Sequence, residues 1–463
     1  MNINKTLLRT RTKLHLSNIL FVALNIFHII VVSTSNFETV SEGILQFRFH
    51  FFYLFKWQSL IIGLVIAAIQ ILVTYIIIYR KFRRASLVEV TELGLNGGND
   101  EKILKNLRMN PQKIHKWVMD LAEQRNIKSI KRVYLTDTSI PNAFTLDVLP
   151  LPLIRITWIV LDADVLEILD EREIKAVIAH ELGHVKRLDG IINIFRFGIN
   201  YFVFLTYAIF IVRMFYNIIV EQPFIAINIA LKSAFLVVIL VILWLFTIIS
   251  RVLLNFSRRQ SELMADYYAS QTVGRNHIIN ALVLLGQRMD VIAAFGTEFR
   301  WLGSLEGKDN LTREFIQGLK SLPPEELSKK ISREKAVQIY ICQRLKNLKE
   351  DLLIPFTDKQ IDEFTENASK SLIKIREESV ENGFALDRQR QKEIVKLTID
   401  WLLVDKDKDL YLNDEELLQL VKIIKENPNK ELFEEDLEKH HSLLGSDHPT
   451  MRERILFLFD STS

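Results

Sequence analysis

Ala179-His180-Glu181-Leu182-Gly183-His184 is the stretch around which the rest of the chain is organised. It has the form HExxH. Residues four apart in an α-helix share a face, so His180 and His184 can present their imidazoles to one metal ion, with Glu181 beside them. Imidazole nitrogen suits zinc, and a catalytic zinc keeps one coordination position open for water. Glu181 is then the general base that takes a proton from that water. The preceding residues announce a helix. Asp170 can cap it, Glu173 completes a capping box, and Ile174, Val177 and Ile178 supply a buried face. Two histidines on an ordinary helix is the plainer alternative.

The chain has 463 residues, of which 49% are hydrophobic and 25% charged. Its mean hydropathy is +0.14. The length sets about three domains as a starting expectation. The mixture predicts membrane spans alternating with charged soluble parts. A net charge of +3 offers no case for nucleic-acid binding. Cys342 is the single cysteine, so no intramolecular disulfide, Cys-based zinc cage or Cys nucleophile is expected. It lies in a helical pattern and reads as core.

Lys5, Arg9, Arg11 and Lys13 precede an uncharged apolar run, Leu14 to Ser35. That is long enough to cross a bilayer, which takes about 20 residues. A cleaved signal has a shorter apolar core and a small-residue cleavage site, so the run reads as a retained anchor. A second span, Trp57 to Tyr79, ends at Arg80-Lys81-Phe82-Arg83-Arg84. By the positive-inside rule the N-terminus and everything after Arg84 are cytoplasmic. Two further apolar stretches, Phe197–Val220 and Ser233–Ser250, read as spans in preference to a buried helical hairpin.

Between the pairs of spans, residues 85–190 read as an α/β unit. Gln112 to Gln124 has helical spacing, while Arg132 to Thr136 and Arg155 to Leu161 read as short strands. From Ser257 onward the pattern is mostly helical, with a break at Pro323-Pro324. The expected class is α+β, predominantly helical: a polytopic membrane protein with about four transmembrane helices, a cytoplasmic zincin-type catalytic domain and a helical C-terminal insert. The expected division is 1–84 (membrane anchor), 85–190 (first half of the catalytic domain), 191–254 (third and fourth spans), 255–300 (second half), 301–440 (helical insert) and 441–463 (closing segment).

Two histidines leave a zinc site incomplete. The third ligand is a downstream carboxylate or another histidine. Glu262 and Asp266 are four apart and share a helix face. Such a pair could supply a ligand, Glu262, and a carboxylate, Asp266, that accepts a hydrogen bond from a ligating histidine. Taken alone, a solvated helix with an Arg259–Glu262 ion pair is the better reading.

The order anchor, anchor, HELGH, two spans, Arg259-Gln-Ser-Glu262-Leu-Met-Ala265-Asp266 resembles the HtpX-type membrane zinc metallopeptidases, relatives of the CAAX prenyl endopeptidases. Pro141-Asn142-Ala143-Phe144 is similar to the family's PNAF segment. Glu173 through Asp189 is similar to its active-site helix, and His448-Pro449 with Arg454-Ile455 to its closing signature. The likeness covers roughly residues 10–290 and 440–460. It implies one zinc on His180, His184 and Glu262, Glu181 as base, and Asp266 behind the ligands. It also implies that Asn142 and Ala143 border a substrate cleft, where an extended peptide can add as a strand. His448 is a candidate donor to the oxyanion of the transition state, or a surface histidine in a proline turn. Arg454 shapes the cleft or pairs with a carboxylate.

In the family the stretch between the Glu262 helix and the His448 turn is usually shorter. Here it contains an acidic run resembling a calcium loop. Asp405, Asp407 and Asp409 stand at positions one, three and five, with Glu416 at twelve, flanked by helical patterns at Ile394–Val404 and Glu415–Ile424. Position six, which favours glycine, is Leu410. An acidic helix–helix connection is the plainer reading, and a regulatory calcium or magnesium site the sharper one.

The expected activity is zinc-dependent endopeptidase cleavage of polypeptides, chiefly membrane proteins in quality control, with the bilayer as a second partner. A CAAX-type prenyl-protein endopeptidase is the sibling reading. A non-catalytic membrane scaffold with structural zinc is a reading of another class, but it has no use for a base at Glu181. A proton-driven transporter is disfavoured by the lack of carboxylates within the spans.

Overall fold

The computed structural model describes residues 5–39, 45–49, 87–92, 109–136, 141–150, 155–190, 226–306, 333–352, 357–379, 396–434, 436–437 and 448–462, with scattered positions between 61 and 80 and at 211. Helix α1 (Lys5–Thr34) is followed by an antiparallel hairpin, β1 (Ser35–Thr39) with β2 (Leu45–Phe49). Next come β3 (Val88–Glu89), α2 (Pro111–Gln124), β4 (Ile130–Thr136), β5 (Ala143–Pro150) and β6 (Arg155–Asp162). A short helix α3 (Ala163–Ile168) leads into α4 (Glu171–Lys186), which carries the HExxH motif. Helices α5 (Ala226–Val273) and α6 (Arg275–Glu306) follow, then α7 (Arg333–Leu352), α8 (Asp358–Ser379), α9 (Asp414–Glu426) and α10 (Met451–Thr462).

The second sheet has the order β3-β4-β6-β5. β4 and β6 are parallel; β5 returns antiparallel to β6 and forms an edge. Val133, Leu135, Ile159 and Leu161 are fully buried, as expected where a sheet face meets helices. Asn110 caps α2 and Pro111 opens it, so Ile114, Trp117, Val118 and Leu121 turn inward. The capping box of α4 has both of its halves, with the Asp170 side chain accepting from Glu173 N and Glu173 accepting from Asp170 N. α4 then buries itself against α5, and Gly183 is what allows the approach. A Cβ there would lie 3.1 Å from Ala265 Cα and 3.2 Å from Tyr268 Cβ.

One continuous core joins α2, the sheet, α4 and α6 to Trp401, Leu420, Ile424, Phe433 and Leu458. Part of the expected insert thus shares the interior of the unit that holds the motif. α7 contributes Ala336, Val337, Tyr340 and Ile341 to a separate small cluster with Ile292 of α6.

The expected polytopic membrane class is overturned: among the described residues no helix is long and apolar enough to cross a membrane. The integral, multi-pass placement with a cytoplasmic catalytic domain falls with it. What stands is a predominantly helical chain with small sheets. Hydropathy alone does not separate a span from a buried helix. The expected fourth span is one part of α5, whose 48 residues run on through Arg251, Arg258, Arg259, Glu262 and Asp266. The first expected span lies in α1, which opens with Lys5, Arg9, Arg11 and Lys13 and buries Phe21 against Leu254 of α5. Most of the second and third expected spans lies outside the described residues, as does Pro323-Pro324.

Candidate metal centre

α4 and α5 cross so that three side chains converge. His180 Nε2 is 3.2 Å from His184 Nε2 and 3.4 Å from Glu262 Oε2, and His184 Nε2 is 3.7 Å from Glu262 Oε1. Zinc–nitrogen and zinc–oxygen bonds of about 2.0–2.2 Å in a tetrahedron give edges of about 3.3–3.6 Å. The two imidazole nitrogens and the two oxygens of Glu262 thus lie close to tetrahedron-edge distances, each imidazole facing a different carboxylate oxygen, and the residues fit the ion that the motif implies.

Both imidazoles are oriented from behind. His180 Nδ1 lies 2.8 Å from Asp266 Oδ1, and His184 Nδ1 lies 2.9 Å from Asp189 Oδ2. With each Nδ1 donating to a carboxylate, each Nε2 lone pair faces the centre, the tautomer a metal needs. Arg454 holds Asp266 through two hydrogen bonds, 2.7 and 2.6 Å. Asp189 is held by Arg187 at 2.6 Å and by the Ser261 hydroxyl at 2.5 Å. The chain reaches Asp189 through Leu188, which takes the left-handed conformation at φ 64° just past the helix end.

Burial works against charge on Asp189, but Arg187, His184 and Ser261 hold its carboxyl down at about 2. Burial likewise opposes ionisation of Asp266, and Arg454 and His180 override it. Glu262 is held well below the ordinary carboxyl range against burial, by its hydrogen bond with His180 and by the charges of His184, His180 and Arg454. Glu181 differs: burial pushes its carboxyl up, and the nearby histidines only partly offset this. A ligand-like carboxylate and a base-like carboxylate thus stand in one site, distinguished by their surroundings.

A cavity of about 550 Å³ opens over the centre. Glu181, His180, His184 and Glu262 line it, along with Asn142, Ala143 and Thr145 at the β5 edge. Val165, Val177, Ile278, Leu282, Leu285 and Met289 form an apolar wall. His448 is at the rim with its Nδ1 3.6 Å from Glu262 Oε1 and its side chain 40% exposed. Arg454 reaches the cavity, yet its guanidinium is spent on Asp266. Arg259 pairs with Glu453 at 2.6 Å, not with Glu262.

The acidic loop is remote from this centre in role. Asp405, Asp407 and Glu416 offer oxygens within 4.8 Å of one another, but Asp409 is not in the group and accepts from Tyr411 N instead. Asp405 accepts from Lys408 N and Leu410 N, and Glu416 from Lys406 N and Asn413 N, so the loop closes on itself. Leu410 adopts φ 67° despite being no glycine. α9 is the expected following helix. The expected preceding helix, Ile394–Val404, is replaced at Thr398 by a bridge to Glu431 and at Trp401–Leu403 by a 3-10 turn; residues 394–395 lie outside the described residues. Trp401 is drawn inward to donate to Gln287.

Of the residues that matter here, Asp189, Arg187 and Ser261 carried no separate signal in the sequence. Asp189 stood only as the last residue of a family-like stretch. An aspartate just past the helix end is a hint, but the turn at Leu188 decides where it points.

Residues 109–317 match Peptidase family M48. Two proteins named Protease HtpX homolog, from Sulfurihydrogenibium sp. and Burkholderia thailandensis, are each 38% identical to this chain, over 80 and 79 residues. The matched stretch is 17% of this chain in both cases, and 25% and 26% of those relatives. The chain thus aligns with about a quarter of their length. The resemblance to the HtpX-like metallopeptidases of family M48 is borne out, the family match covering residues 109–317 with His180, His184 and Glu262, while His448 and Arg454 lie beyond it.

Proposed function

We propose that this chain is a metal-dependent endopeptidase whose ion is zinc, held by His180, His184 and Glu262. The observation that carries the reading is Glu181: a buried carboxylate with its proton affinity raised by burial, beside the ligand set and open to the cavity. A structural metal site has no use for such a group. Zinc supplies Lewis acidity toward the scissile carbonyl and toward the attacking water.

The chain's own residues do the rest. An extended polypeptide pairs its backbone with the free edge of β5 near Asn142–Thr145. One of its side chains lies against the apolar wall of α6. Glu181 accepts the proton of the attacking water and passes it to the leaving amine. His448 donates to the oxyanion as the tetrahedral centre forms. Asp266 and Asp189 hold the imidazoles in place. The substrate class is extended polypeptide. The narrower expectation of membrane proteins in quality control rested on the family resemblance together with spans beside the site, and no such span is found among the described residues.

The test joins metal content to cleavage. The wild type should bind about one zinc, and Glu262→Ala should lose it. Glu181→Gln should keep the metal and lose casein cleavage. Cleavage by Glu181→Gln at the wild-type rate would place the activity elsewhere. A wild type that holds zinc and cleaves nothing would favour a scaffold.

A further inference from the structure

Asp147 of β5 and Arg155 of β6 form an ion pair whose side chains are 7% and 8% exposed. Arg155 Nε donates to Asp147 Oδ1 at 2.9 Å and Nη2 to Oδ2 at 2.6 Å. Thr157 adds a hydroxyl at 2.5 Å. The third guanidinium nitrogen, Nη1, donates to the carbonyl of Val185. Val185 follows His184 directly and lies in the last turn of α4, where its carbonyl also accepts from Leu188 N. On its other side the Asp147 carboxylate abuts Gly190: a Cβ there would come 1.5 Å from Oδ2. Gly190 follows Asp189, which orients His184. A register shift between Asp147 and Leu149 breaks the regular pairing of β5 beside this point.

Accepting the peptidase reading above, we propose that Asp147 and Arg155 are positioning residues that clamp the substrate-pairing edge to the end of the metal-ligand helix. Among the described residues the edge has no strand on its outer side. The fork of Arg155 sets its distance from His184 with paired bonds on the strand and one on the helix end. A peptide paired with Ala143–Thr145 is thereby held at a fixed distance from Glu181. Displacements of about 1 Å at such a point can cost on the order of 100-fold in rate.

The experiment uses the full chain and a fluorogenic extended peptide, with Arg155→Lys, Asp147→Asn, Gly190→Ala and Glu181→Gln in parallel. Arg155→Lys keeps the charge and loses the fork. It should remain folded with wild-type zinc content, yet lose about 10-fold or more in kcat/KM. Gly190→Ala should match Asp147→Asn, and the double variant should be no worse than either, because both release the same carboxylate. Amide exchange at residues 143–147 should quicken by about 10-fold in Arg155→Lys. Wild-type kcat/KM and exchange in Arg155→Lys, with Glu181→Gln inactive, would overturn the clamp and leave the peptidase reading intact. If Glu181→Gln cleaves like the wild type, the peptidase reading fails, and unchanged exchange or additive Gly190 and Asp147 effects would sink the clamp by themselves.

Discussion

Arg454 of α10 closes on Asp266 of α5 with two short hydrogen bonds, Nε to Oδ2 at 2.7 Å and Nη2 to Oδ1 at 2.6 Å, 188 positions apart in the chain. Asp266 Oδ1 is also the atom that faces His180 Nδ1. Helix α10 therefore fixes His180 through the carboxylate between them. Removing the guanidinium leaves a fully buried carboxylate without its main counter-charge. Arg454→Ala should lower unfolding stability by about 3–5 kcal/mol and weaken zinc binding by about 10–100-fold. Arg454→Lys should fall between the two. Denaturant titration and a competing chelator read both quantities, and an Arg454→Ala protein with wild-type metal affinity would contradict the relay.

Asp189 does for His184 what Asp266 does for His180, but from just beyond the turn at Arg187–Leu188 that follows α4. Asp189→Asn should reduce zinc affinity by about 10–100-fold with little loss of fold. Ser261→Ala removes only one of the groups holding Asp189 and should cost less. Chelator competition on both variants checks the order, and equal affinities would refute it.

Glu173 gives a pH signature away from the metal. Burial raises its carboxyl from 4.5 to about 7. Between those values the folded chain keeps a proton that the unfolded chain has released. Its contribution to stability is therefore full below about pH 4.5 and is lost as pH rises through about 7, by up to roughly 3 kcal/mol. Glu173→Gln keeps the oxygen that accepts from Asp170 N and removes the titration. Its denaturant midpoints at pH 5 and pH 7.5 should lie closer together than the wild type's. An unchanged gap would show that Glu173 ionises normally.

Gly286 marks where the long insert docks. A Cβ at that position would meet the Phe433 ring at 2.4 Å, and Phe433 is 2% exposed. Gly286→Val should therefore cost about 1–3 kcal/mol by overpacking. Phe433→Leu should recover part of that loss in the double variant. Thermal melts of the four proteins test it, and strictly additive losses would mean that the two positions do not share this contact.

How legible all this was varies with the range of the interaction. Helix α4 was legible because its capping box and its HExxH spacing are set by residues within four positions of one another. β4 and β6 were legible from short apolar runs. For β5 the resemblance implied only that Asn142 and Ala143 border a cleft, and the run of the strand to Pro150 was not read. The flank at Trp401 read as helix until Gln287 and Glu431 claimed its polar groups.

By itself the sequence determined the chemistry at hand: two imidazoles on one helix face with a carboxylate beside them, and a carboxylate pair four apart downstream. Those follow from helical periodicity, which is local. Only the tertiary structure decided that Glu262 meets His180 and His184, that Arg454 and Asp189 stand behind them, and that apolar stretches lie in helices continuing into charged turns. Asp189 is only five positions from His184, but Asp266 is 86 positions from His180 and 188 from Arg454, separations at which no repeat in the chain encodes a distance and the packing of α4 on α5 sets it instead.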